Sequence, residues 1–106
     1  MEKLTVITLA TEFGPHLSTR EIWGQKVFAK ITALLEMNYS VQISFADMKA
    51  VSVSFLDEAF GKLAEVYSIE FLKNHLSFTE ISDHHRANLN RAIMLRLQRK
   101  LETQAN

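Results

Sequence analysis

Between Ser40 and Ala46 the chain alternates Val41, Ile43 and Phe45 with Gln42, Ser44 and Ala46, the period-two pattern of a strand with one strongly buried face. Leu4 to Ala10 is a near-continuous run of Thr, Val, Ile and Leu, too short for a stable helix. It ends before the breakers Gly14 and Pro15, so it predicts a buried strand. Leu76 to Ile81 alternates like a third core strand, with Asn74 and His75 suited to the turn before it. The period changes between these strands. Trp23, Val27, Ile31, Leu34 and Leu35 recur at three- and four-residue steps and predict a helix over about Thr19 to Met37 with one apolar stripe. Ser18 and Glu21 stand at capping-box spacing at its start.

A second helix is predicted from Phe55 to Tyr67. Leu56, Ala59, Phe60, Leu63 and Tyr67 lie on its core side, and Asp57, Glu58, Gly61, Lys62 and Glu65 on or near the other. Ser54 is the expected N-cap, with Asp57 three residues on. Ser68 to His75 adds a turn of helix. A last helix, capped by Ser82 or Asp83, carries Leu89, Ile93, Leu97 and Leu101 every four residues. The order is β-α-β-α-β-α in one domain over residues 1–102, with a frayed tail at 103–106. Such alternation predicts an α/β fold, a small, mainly parallel sheet covered by about three helices. Ligands in folds of this class gather at the carboxyl ends of the strands, where the loop from Asp47 to Val53 emerges.

Composition narrows the classes of function. With 106 residues and 47% hydrophobic content the chain is the size of a single domain. Its 12 basic and 12 acidic residues cancel, so no global field draws it to nucleic acid or a membrane surface. The absence of Cys fits a reducing compartment and rules out a thiolate nucleophile, and no stretch approaches a membrane span. A soluble, cytoplasmic protein is the expectation.

The run Val41-Gln-Ile-Ser-Phe-Ala-Asp47 followed by Val51-Ser-Val-Ser-Phe-Leu-Asp-Glu-Ala-Phe-Gly-Lys-Leu63 resembles the uncharacterised bacterial STAS-like domain family, as does Ser18-Thr-Arg20. The resemblance covers about Gly14 to Leu97. It implies a fold similar to that of anti-sigma factor antagonists, whose strand-loop-helix junction docks on a histidine-kinase-like ATPase that can act as a serine kinase. The matching junction here is Asp47 to Leu63. Antagonists carry an Asp-Ser-Ser-Gly-like sequence with the phosphoacceptor at the first Ser. The comparable run here is Ser52-Val53-Ser54-Phe55, which puts Val53 at the acceptor position and leaves Ser52 and Ser54 on either side.

The expected role is therefore a noncatalytic regulatory module that contacts a protein partner through Ser52, Ser54, Asp57, Glu58, Gly61 and Glu65. Ser54 and Ser52 are the candidate phosphoacceptors, where about two added negative charges would crowd Asp57 and Glu58. Gly61 within a helix costs about 1 kcal/mol relative to Ala, a cost that close backbone approach would justify. Asp57 and Glu58 are adjacent and point about 100° apart, so they do not form a catalytic carboxyl pair. No Gly-x-Ser-x-Gly elbow, Gly-rich phosphate loop or metal-type spacing of His16, His75, His84 and His85 is present, so neither an enzyme, a cofactor nor a metal is expected. The alternative is a nucleotide or other small anion held at the Ser54 helix start. Nucleic-acid binding is a weaker option. Arg86, Arg91, Arg96, Arg99 and Lys100 give the last helix its basic character but are spread around it, as a solvated helix would have them.

Overall fold

In a computed structural model that describes residues 3–104, three parallel strands form the central sheet in the order β1 (Lys3–Thr8), β3 (Tyr39–Ser44), β5 (Leu76–Thr79). The register pairs Val6 with Gln42 and Gln42 with Ser77, and Ile7 with Ile43 and Ile43 with Phe78. Alternation sends Ile7, Val41 and Ile43 into the core, whereas Leu4, Val6 and Ser77 point the other way and are exposed. The expected mixed α/β architecture with a parallel sheet is what the chain adopts.

Helix α2 (Gln25–Glu36) packs on β3 through Val27, Ile31 and Leu35, and Asn38 takes the left-handed conformation (φ 66°) that turns the chain into β3. Two elements were not foreseen because they are too short to show a period. These are α1 (Leu9–Phe13) and a two-residue ladder joining β2 (His16–Leu17) to β4 (Ala50–Val51). That ladder ties down the loop after β3. Lys49 and Ala50 donate from their amides to the Pro15 carbonyl, and Ser52 donates to that of Leu17.

The predicted helix 55–67 runs as α3 (Val53–Leu56), a wide π-type turn at Asp57–Gly61, and α4 (Leu63–Val66). Phe55, Leu56, Phe60, Leu63 and Ala64 are fully buried, and Phe60 meets Phe55 and Phe78 edge-on at 5.9 and 5.2 Å between ring centres. The possible turn after Ser68 is α5 (Ile69–His75), capped by Ser68 Oγ. The last helix, α6 (Asp83–Gln104), starts where Ser82 Oγ accepts from the His85 amide, and lies on the 53–66 segment through Leu89 and Ala92. The expected tail at 103–106 begins within α6, and residues 105–106 lie outside the described residues. No helix among the described residues is long and apolar enough to cross a membrane.

Candidate functional site

Two helix starts were misplaced by one or two residues. At the first, Thr19 and not Ser18 is the cap, and its hydroxyl accepts from the Trp23 amide. At the junction, Ser52 and not Ser54 is the cap, since Val53 is already helical. Ser52 Oγ accepts from the Phe55 amide at 3.0 Å and donates to the Ser18 carbonyl at 2.8 Å. That hydroxyl therefore holds the two helix starts together. Ser54 stands two residues further in, exposed, beside Val53, which is 58% exposed.

Both helix starts include a π-type turn, and the two turns face each other. In Arg20–Gly24 the Gly24 amide reaches back five residues to the Thr19 carbonyl, and in Asp57–Gly61 the Lys62 amide does the same to Asp57. The widening lets glycine backbone come close to its neighbours. A Cβ on Gly24 would lie 2.8 Å from Cβ of Glu58, and one on Gly61 would lie 3.0 Å from Oδ1 of Asp57 and 3.1 Å from the Ala92 carbonyl oxygen. The close approach expected at Gly61 is thus to α6 of the same chain. Gly24 does matching work under Glu58 and was not singled out from the sequence.

These contacts place the acidic residues against cations from distant parts of the chain. Asp57 receives Arg96 in a two-pronged pair, Nε to Oδ1 at 2.8 Å and Nη2 to Oδ2 at 2.7 Å, and Arg20 Nη1 to Oδ2 at 2.6 Å. Glu58 is 6% exposed and lies within 3.3 Å of Arg20, 3.2 Å of Lys62 and 3.8 Å of Arg96. Glu65 pairs with Arg96 Nη1 at 3.0 Å. Lys62 also sits over the Phe28 ring, 4.9 Å from its centre. Three carboxylates and three cations close on one another, and no buried side-chain polar atom among the described residues is left without a partner. Arg96, expected to be a solvated cation, is held at the centre.

The charge states follow. Hydrogen bonds from Arg96, reinforced by Arg20, hold the Asp57 carboxyl at about 2 against the opposing effect of burial. The same pairing, with Glu65 adding to it, raises Arg96 further above its ordinary range. Arg20 is raised too, chiefly by Asp57. Such a strongly charged lattice braces α6 on the 53–66 segment.

Beside the lattice a cleft of about 310 Å³ opens between the start of α3 and one flank of α6, with Ser54, Arg20 and Asp57 on one wall and Asn88, Arg91, Leu95 and Arg99 on the other. Of the residues named from the sequence, Ser54 lines this cleft and Glu65 reaches the surface near Arg99. Glu58 and Gly61 are buried, Ser52 is half-buried with its hydroxyl engaged, and Asp57 is shared between lattice and cleft. Among the described residues no three His, Asp or Glu gather as a metal site.

The family model described as a STAS-like domain of unknown function (DUF4325) matches residues 24–86, more than half of the chain. The matched span contains Gly24, the whole 53–66 segment and the sheet strands β3 and β5, whereas Arg20, Arg91, Arg96 and Arg99 fall outside it. No curated protein and no solved structure matches the chain significantly.

Proposed function

The chain belongs to the STAS-like domain family, and from that premise we infer that it is a noncatalytic regulatory module that works by docking on a protein partner. The contact surface is the exposed tip of the loop-helix junction, Val53 and Ser54, with Glu65 at its far edge. Ser52, Asp57, Glu58 and Gly61 act from beneath as the residues that position it. A histidine-kinase-like ATPase able to act as a serine kinase is the partner that this family relationship favours. The observation that carries the reading is Val53, an apolar side chain 58% exposed on a backbone fixed by the Ser52 cap and the β2–β4 ladder. A pre-organised apolar knob loses little conformational freedom on binding.

Ser54 is the better phosphoacceptor of the two candidates, because the Ser52 hydroxyl is engaged on both sides. Its surroundings also alter the expected consequence. A phosphate on Ser54 would face Arg91 and Arg99 across the cleft, with Arg20 on its own wall, so attraction to cations opposes the crowding by Asp57.

Isothermal titration of the chain with a histidine-kinase-like ATPase from the same genome tests the docking. Val53→Asp should weaken binding at least tenfold with an unchanged melting temperature, and unchanged affinity would overturn Val53 as the contact. Incubation of the pair with ATP, followed by mass spectrometry, places any phosphate on Ser54 or removes the switch. The cationic cleft also favours a second reading, a nucleotide or other small anion as ligand. Thermal stabilisation by several degrees with nucleotide alone, and none with the ATPase, is the outcome that reading requires.

A further inference from the structure

Arg91 and Arg99 are the cations of the cleft that the lattice leaves over. Asp57, Glu58 and Glu65 are matched by Arg20, Lys62 and Arg96. Neither the Arg91 nor the Arg99 guanidinium has a carboxylate partner among the described residues, although both are exposed on the same cleft. In a chain whose formal charges cancel, two unmatched cations on one wall give that wall a local positive potential.

Their spacing says what shape of ligand suits them. They leave α6 eight residues apart, about 12 Å along the axis at 1.5 Å per residue. Leu95 stands midway and is 48% exposed, and Val53 faces it from the opposite wall. Arg20, the third guanidinium of the cleft, is already engaged by Asp57 and Glu58. A single phosphate wants convergent donors, whereas this wall reads cation, apolar, cation along a line.

We propose that the cleft between α3 and α6 receives an acidic segment of a partner protein, with one apolar side chain seated between Val53 and Leu95 and a carboxylate on either side meeting Arg91 and Arg99. In an extended segment, residues i, i+2 and i+4 share a face, and i to i+4 spans about 13 Å, which matches the 12 Å between the arginines. The inference rests on the docking function proposed above and adds the chemistry of the partner. It also gives the unmatched arginines a role in steering association, which salt would screen.

An acetylated and amidated peptide Glu-Ser-Leu-Ser-Glu, titrated into the 15N-labelled protein, is the probe. Saturating amide shifts are expected at Val53, Ser54, Arg91, Leu95 and Arg99, with affinity falling several-fold at roughly 0.5 M salt. The double variant Arg91→Glu, Arg99→Glu should keep its other resonances, lose the peptide, and bind Lys-Ser-Leu-Ser-Lys instead. The proposal is overturned by the absence of saturating shifts. It is equally overturned if inorganic phosphate, or a peptide with Ser in place of its Leu, binds the same residues as well, since a small-anion site would then suffice. Titration of the ATPase separates the two claims. ATPase binding that survives the charge reversal ends the cleft proposal and leaves docking standing, whereas peptide binding without ATPase binding ends docking on that partner and leaves the cleft.

Discussion

The helical segment from Val53 to Val66 has two sides, and they hold the molecule together by different means. Its apolar side puts Phe55, Leu56, Phe60 and Leu63 into the core beneath β3 and β5, where stabilisation grows with the area removed from water and needs no particular partner. Its charged side puts Asp57, Glu58 and Gly61 against Arg20, Arg96 and the backbone of α6, where everything depends on which groups meet. The first kind of side is visible in a sequence as a stripe. The second is indistinguishable from a solvated acidic face until the cations are placed.

The largest effects should come from breaking each side directly. Phe60→Ala removes a fully buried ring and should cost about 3–5 kcal/mol in urea denaturation. Gly61→Val inserts atoms where a Cβ alone would already lie 3.1 Å from the Ala92 carbonyl oxygen, and should cost about 1–3 kcal/mol by pushing α6 away. A Gly61→Val protein of wild-type stability would mean that α6 is not seated there.

Acid separates the two sides, because only one of them titrates. Asp57 is held at about 2 in the folded chain against 3.8 ordinarily, so its contribution is complete above about pH 4 and is lost as the pH falls through about 2. The loss should amount to about 2 kcal/mol in wild type and be absent from the slope in Asp57→Asn, measured by thermal melts across that window. The smallest effect sharpens the account of the junction. Ser52→Ala should cost about 1 kcal/mol and Ser54→Ala close to nothing, and equal costs would return the cap to Ser54.

Much of the fold was legible because strands and helix stripes declare their own period. Val41, Ile43 and Phe45 are buried as expected, and so are Val27, Ile31, Leu35, Leu56, Phe60 and Leu63. The caps were less so, since Ser18-Thr19 and Ser52-Val53-Ser54 each offer two hydroxyls within reach of one helix start, and the choice was made by the β2–β4 ladder, too short to leave a pattern. The lattice was hidden for a different reason: apart from Lys62–Glu58, its pairs join residues 31 to 39 positions apart. Two signals were nonetheless present. Gly24 interrupts a predicted helix just as Gly61 does, and Arg96 lies seven residues from Leu89, two turns along the apolar stripe, where a solvated cation does not belong.

The central claim is that the acidic side of the 53–66 segment grips α6. A double-mutant cycle on Asp57→Ala and Arg96→Ala, followed by urea denaturation, measures that grip without reference to any partner. A coupling energy of about 1–3 kcal/mol is the predicted result. Single-mutant effects that add to within about 0.5 kcal/mol would contradict it and return Asp57 to the solvent-facing surface that its sequence first suggested.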